Sequence, residues 1–138
     1  MSDLVRLSLS IEKPLYERLE KLVKSSGCAN RSEFVRDLVR RRLVEGEWKA
    51  DCETLGTVTL LYDHHRRRLG EKLTELQHHH HHAILASTHV HLDRAICAEV
   101  IIIRGRASEI RSITDMLRKQ KGVLHAELSL SSTGKNLA

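Results

Sequence analysis

Val5, Leu7, Leu9 and Ile11 alternate with Arg6, Ser8 and Ser10 near the start of the chain. An alternation by twos predicts a strand with the apolar set on one face and Arg6, Ser8 and Ser10 on the other. The period then changes. Pro14 suits the first turn of a helix, and Leu15, Leu19, Leu22 and Val23 follow at helical spacing until Gly27, a helix stop. Asn30, with Glu33 three residues on, has the form of a capping box. It opens a second helix whose apolar face is Phe34, Val35, Leu38, Val39 and Leu43. The pattern predicts strand, helix, helix over residues 1–45.

A unit of that size cannot bury its own apolar surface, and its single strand has no sheet to join. A second copy supplies both. Two strands then pair antiparallel across a two-fold axis and four helices close beneath them, the ribbon-helix-helix arrangement. The paired ribbon is of a size to enter the DNA major groove. Arg6, Ser8 and Ser10 become its base readers, since Arg suits guanine O6 and N7 and Ser can bond several base edges. The start of the second helix, at Arg31 and Ser32, presents free amides that suit a phosphate. The run Arg40, Arg41, Arg42 is a further phosphate candidate, or else a solvated helix face.

Residues 46–54 interrupt the apolar pattern and read as a hinge. Beyond them Thr57 to Tyr62 alternates as a strand, and Leu69, Leu73 and Leu76 mark a helix. Ala83 to Leu92 and Ile96 to Ile103 read as two strands, while Ile110, Ile113, Met116 and Leu117 mark a helix that Gly122 stops. Leu124, Ala126, Leu128 and Leu130 alternate as a last strand. The order βαββαβ over 55–131 is the split-βαβ, ferredoxin-like plan, which makes the chain α+β. Residues 132–138 read as a flexible tail. Because that plan serves many functions, the site must decide among them.

Composition narrows the picture. Of 138 residues, 41% are apolar but only 3% aromatic, so the core is built from Leu, Ile and Val. A formal charge of +5 suits a polyanion partner. Cys28, Cys52 and Cys97 are scattered and odd in number, which points to a reducing cytoplasm rather than a disulfide framework. No stretch is long and apolar enough for a signal peptide or a membrane span, so no membrane partner is expected.

Seven of the ten histidines lie between Gln77 and Cys97, in QHHHHHAILASTHVHLDRAIC. His89 and His91 are two apart and share one face of a strand, with Cα atoms about 6.6 Å apart. Cys97 lies across a hairpin. It shares the face of His91 only if an odd number of residues separates the paired positions, or if a bulge shifts the register. Asp93, Arg94 and Ala95 would supply a three-residue loop that meets this condition. Nitrogen plus thiolate donors suit Ni(II), Cu(II) or Zn(II) rather than Mg or Ca. A fourth donor is wanted, and the histidine run at the end of the preceding helix is its source.

The run Q-H-H-H-H, the H-V-H and the later Cys, with ten residues between His78 and His89, together with the N-R-S-E of the second helix, resemble the nickel-responsive transcriptional regulators of the NikR family. The resemblance extends from about Val5 to Leu130. It implies a ribbon-helix-helix domain joined to an ACT-like ferredoxin fold in a homotetramer, a dimer of dimers. It implies a repressor that shuts down nickel-uptake genes when Ni(II), one per subunit, is bound. The square-planar ligands it implies are His89, His91 and Cys97 of one subunit and His78 of a neighbouring one. Glu99 matches a carboxylate that holds a ligand imidazole. Glu33 and Asp37 match positions that hold a second cation. Arg6, Ser8 and Ser10 fall on base-contacting positions, where the family more often has Thr than Ser. His79 to His82 receive no ligand role, nor do Tyr62 and His64, although both lie near the matched site.

The DNA partner implied is an inverted repeat. The alternatives are a regulator with the same two domains that senses another metal or a small molecule such as an amino acid, a zinc enzyme with water in the fourth position, and a toxin-neutralising ribbon-helix-helix protein. The zinc enzyme lacks a general acid or base beside the ligands apart from Glu99, and the patterned second half speaks against the last.

Overall fold

A computed structural model of the chain describes residues 3–138; Met1 and Ser2, the first two positions of the expected N-terminal unit, lie outside the described residues. The chain divides into two compact units, residues 1–43 with 136–138, and residues 44–135.

In the first unit, helix α1 (Lys13–Ser26) carries Pro14 in its first turn and ends at Gly27, whose φ of 79° is the left-handed conformation that glycine adopts without strain. Helix α2 (Arg31–Lys49) starts where the Glu33 amide donates to Asn30 Oδ1 at 2.9 Å. The returning arm of the capping box is diverted, because Glu33 Oε1 accepts from Arg36 Nη2 at 2.8 Å. Residues 3–12 form no hydrogen-bonded strand in the single chain. A strand is defined by its neighbour, and the neighbour expected here is a second copy. Val5 is 80% exposed, and Leu7 and Leu9 are each 76% exposed, so the apolar set predicted to face inward finds no cover in one chain.

Two boundaries differ from expectation. The hinge expected over 46–54 is helical as far as Lys49. Glu and Lys are good helix formers, and one internal Gly46 does not end a helix that packing holds. Trp48, hidden among those charged residues, is buried, and its Nε1 donates to the Ser131 carbonyl at 2.8 Å. The chain turns at Asp51, with a φ of 55°, before the first strand. The tail expected to be flexible over 132–138 is partly tied down: the Leu137 carbonyl accepts from Arg40 Nε at 3.0 Å, and residues 136–138 pack with the first unit. That bond also occupies one of the arginines considered for the phosphate backbone.

The second unit runs β1 (Glu53–Asp63), α3 (Leu69–His79), β2 (Ile84–His91), β3 (Ile96–Arg106), α4 (Ala107–Arg118) and β4 (Val123–Leu130). The four strands lie in the order β2-β3-β1-β4, every neighbouring pair antiparallel. This is the α+β class and the βαββαβ order that the sequence predicts. Val58, Leu60, Tyr62, Ile101 and Ile103 from the sheet pack with Leu69 and Leu73 of α3 and Ile110, Ile113 and Leu117 of α4. The alternation of β4 is broken by a register shift opposite Leu61 and Tyr62, so Val123 rather than Leu124 packs on the core and Leu124 is exposed. Asp51 caps α4 from outside it, accepting from the Ser108 amide at 2.7 Å and the Ser108 hydroxyl at 3.0 Å. Those two hydrogen bonds hold its carboxyl below the usual range.

Gly56 is where the helical layer, the sheet and Trp48 come closest. A Cβ there would meet Ile110 Cγ2 at 2.9 Å, Leu128 Cδ1 at 3.0 Å and Trp48 Cη2 at 3.2 Å. Gly56→Ala therefore overpacks the core and is expected to cost about 1–3 kcal/mol. Urea denaturation monitored by Trp48 fluorescence measures this, and an unchanged midpoint would contradict the packing described.

Candidate metal centre

The β2–β3 hairpin turns on Asp93. Its Oδ1 accepts from the Ala95 amide at 2.7 Å and the Ile96 amide at 2.8 Å, and the Leu92 amide donates to the Ile96 carbonyl at 2.9 Å. Asp93, Arg94 and Ala95 thus make the three-residue loop, and His91 pairs with Cys97. The odd separation demanded by parity is met. Direct cross-strand partners share a face, so His91 and Cys97 do, and so do the next pair on that face, His89 and Glu99. On the far side of β3, Cys97 pairs with Tyr62 and Glu99 with Leu60. Two rows therefore cross the sheet on the helix-covered face: Tyr62, Cys97, His91 and Leu60, Glu99, His89.

Burial falls steeply along each row because β2 is the edge strand. Tyr62 and Cys97 are buried, whereas His89 and His91 are exposed. Cys97 Sγ lies 3.2 Å from His91 Nδ1, and Tyr62 Oη lies 3.0 Å from His89 Nδ1. The His89 and His91 rings are 5.0 Å apart. Burial pushes the Cys97 thiol up, and the negative charges of Asp63, Asp93 and Glu99 push it the same way. Burial foremost, then Glu99 and Cys97, pushes the Tyr62 hydroxyl up to about 12, so it remains a neutral hydrogen-bonding group beside His89. A hydrogen bond to one ring nitrogen fixes which nitrogen is left to face an ion.

The remaining expected residues fall into three groups. His78 lies in the last turn of α3, exposed, and does not converge with His91 and Cys97 within one chain. The rest of the histidine run forms the exit from α3: His82 Nε2 lies 3.0 Å from Glu109 Oε1, and His81 Nδ1 lies 3.1 Å from the His78 carbonyl. Glu99, expected to hold a ligand imidazole, sits directly across from His89. Its Oε1 accepts from Gln77 Nε2 at 3.2 Å and Ser87 Oγ at 3.3 Å, and Tyr62 takes the place beside His89. Glu33 and Asp37, expected to share a second cation, lie one turn apart near the start of α2. Each is already matched by an arginine one turn on, Glu33 by Arg36 at 2.8 Å and Asp37 by Arg41 at 3.1 Å.

Of the expected DNA-facing residues, Arg6, Ser8 and Ser10 are exposed in the N-terminal segment, and Ser32 is exposed at the start of α2. Arg31 is engaged by Glu20 and by Tyr16 Oη, the latter at 2.8 Å.

Sequence reasoning assigned nothing to Tyr62 or His64, and the fold brings both to the site. His64 follows β1, and its amide donates to the Ala95 carbonyl at 2.9 Å. Its ring lies 5.4 Å from that of His91, and the donor atoms of His64, His91 and Cys97 all fall within 4.8 Å of one another. The alternation of β1 gave the face of Tyr62, but the β1–β3 register that sets it beside Cys97 has no local signal. Imidazole nitrogens grouped around a thiol fit a nickel, copper or zinc ion by the chemistry of their donors.

Two helices packed on a four-stranded sheet with such a donor set, in a chain whose first unit has the alternation of a strand followed by two helices and leaves its apolar residues open, fit a metal-binding regulator of the ribbon-helix-helix class. Residues 55–131 match the family model described as NikR C terminal nickel binding domain, and residues 5–46 match ribbon-helix-helix protein, copG family. Proteins carrying the name nickel-responsive regulator are 48% identical in Geotalea uraniireducens and 47% in Geobacter sulfurreducens, each alignment covering 99% of both chains. That of Caldanaerobacter subterraneus is 42% identical over 99% of this chain and 90% of its own. An uncharacterized protein of Thermotoga maritima shares the fold, with a TM-score of 0.51 and 14% identity over 56% of this chain and 96% of its own. The chain belongs to the nickel-responsive regulator family, and it is a nickel-sensing transcriptional regulator with a DNA-binding half and a nickel-binding half.

An ion at this centre must displace the proton of a thiol whose pKa is raised. Between about pH 7 and pH 8.5, as one thiol proton is displaced, metal affinity is expected to rise about tenfold per pH unit. Competition with a chromophoric chelator measures this. An affinity that does not change over that range would exclude Cys97 as a thiolate ligand.

Proposed function

We propose that each subunit takes one Ni(II) through His89, His91 and Cys97, completed by His78 of the partner subunit, and that the nickel-loaded protein is a repressor of nickel-uptake genes. The observation that carries this is the Cys97–His91 pair, sulfur and nitrogen 3.2 Å apart at the open edge of a sheet. One donor of the pair is buried and held, and the other is free to adjust. Tyr62 orients His89, and the three-residue loop at Asp93 keeps the register that aligns the donors. Nickel bound there would supply a cross-link between chains. His78 supports that reading, because it stands on a helix end exposed to solvent and outside its own chain's cluster.

Two open surfaces support a tetramer built as a dimer of dimers. Val5, Leu7 and Leu9 wait for a paired ribbon in the first unit, and Val90 and Leu92 are exposed on the edge strand and its turn in the second. In the paired ribbon Arg6, Ser8 and Ser10 face base edges of an inverted repeat. Ser32, and Arg31 once released from Glu20, stand at phosphates. The described residues contain no helix long and apolar enough to cross a membrane. In the proposed reading the protein works on DNA in the cytoplasm, as a regulator rather than an enzyme.

The test is a gel-shift titration on the operator with nickel, with chelator and with increasing salt. Nickel is expected to tighten binding by about 5–150-fold, the range of ordinary coupling, and affinity should fall steeply with salt. His89→Ala should bind DNA equally with nickel and with chelator. If the wild-type protein also binds equally in both, the nickel switch is wrong.

A further inference from the structure

Arg31 stands at the start of α2, yet its side chain is held by α1. Its Nε donates to Glu20 Oε1, its Nη2 donates to Tyr16 Oη at 2.8 Å, and its Cζ lies 5.5 Å from the centre of the Tyr16 ring. We propose that Glu20 is an internal competitor for DNA phosphate: its carboxylate occupies Arg31 in the free protein, and a phosphate must take its place before Arg31 contributes to binding. The proposal rests on the reading of Arg31 as a phosphate contact and goes beyond it by naming the group that restrains that contact.

The chemistry of the donors makes the competition direct. Nε and Nη2 lie on one side of the planar guanidinium and form a fork that takes a carboxylate or a phosphate through two parallel bonds. Both arms of that fork are filled, one by a carboxylate oxygen and one by a phenolic oxygen. The other edge of the guanidinium stays open, but Glu20 neutralises the charge behind it. The hydrogen bond from Arg31 foremost, with the charges of Arg31 and Lys24, holds the Glu20 carboxyl below its usual range, so Glu20 is an anion at neutral pH.

The arrangement also allows release. The Arg31 side chain is 60% exposed and that of Glu20 only 32%, so the arginine is the partner that can swing outward. An exposed ion pair is weak, because water screens it and both side chains lose freedom in forming it. Lys24, one turn beyond Glu20 on α1, stays beside the carboxylate that Arg31 leaves. Phosphates carry no sequence information, so this latch lowers affinity for every duplex by a similar factor. A weaker hold on all DNA lets a nickel coupling of ordinary size separate the bound from the free protein.

The experiment uses the full-length protein and a fluorescent duplex of arbitrary sequence, in chelator and with nickel, from about 50 to 200 mM salt. The variants are Glu20→Gln, Glu20→Ala and Arg31→Gln, with Glu17→Gln as a control that removes the same charge from the same helix. Both Glu20 variants are expected to bind about two- to fivefold more tightly in chelator, the range set by losing an exposed ion pair. The fall of log affinity with log salt should steepen by up to about 0.9, the slope of one phosphate. In an Arg31→Gln background the change at Glu20 should give no gain. Circular dichroism melts identify a variant that has lost its fold, and Glu20→Gln, which keeps the shape of the side chain, then decides.

An equal gain from Glu17→Gln, or a gain that persists without Arg31, would mark a general charge effect and overturn the proposal. Unchanged or weaker binding by Glu20→Gln would overturn it too. If Arg31→Gln weakens binding while Glu20→Gln changes nothing, Arg31 meets phosphate but Glu20 does not restrain it. Should the gain through Arg31 appear while nickel alters no affinity, the nickel switch fails and the latch stands.

Discussion

The pairing of His91 with Cys97 across the β2–β3 hairpin is the constraint on which the rest depends. A slip of one residue would send the thiol to the opposite sheet surface and leave two imidazoles on an edge strand with nothing to share. The register is held at both ends. Asp93 fixes the loop with two amide bonds, and β3 is clamped on its other side by eleven consecutive pairings to β1. Nothing at the metal centre has to be ordered for this alignment to exist. The fold sets it in place and leaves only the exposed rings to adjust.

Position within the sheet then divides the labour. Tyr62, Cys97 and Glu99 lie toward the helix-covered interior, where side chains are held by packing. His89 and His91 lie on the edge strand, where they can reach outward. A site built half inside and half outside a sheet is open to completion by another chain. The first unit is incomplete in a related sense: its leading segment has the alternation of a strand but no partner. Under the proposed cross-chain site both units call for a second copy, and a regulator can exploit such a dependence, because whatever favours assembly would also favour the ribbon that meets DNA.

Much of this was legible in the residues. Helix α1 stops at the glycine that the pattern marked, Asn30 caps α2, and the βαββαβ order follows from the change of hydrophobic period. The parity argument tied His91 and Cys97 to an odd loop, which Asp93 to Ala95 provide. Other features left no local trace. Trp48 sits among charged residues, so its burial depends on a tertiary contact with Ser131 far along the chain, and the helix through it looked like a hinge. Tyr62 and His64 reach the site through the β1–β3 register, a pairing of segments about 35 residues apart. The Arg36 and Arg41 pairs with Glu33 and Asp37 follow helical spacing and could have been read from it. Glu99 lies on the expected face, but its partners Gln77 and Ser87 come from two other elements.

The central claim is that donors from two chains meet at one ion, and complementation between two defective chains tests it most directly. His78→Ala and Cys97→Ala variants each lack part of the set, and each alone should fail to develop the thiolate-to-nickel absorption band. Unfolded together and refolded as a mixture, they should recover part of that band, because a mixed assembly pairs the intact triad of one chain with the intact His78 of the other. No recovery in mixtures shown by mass spectrometry to contain both chains, or a full band from the His78→Ala protein alone, would contradict the account.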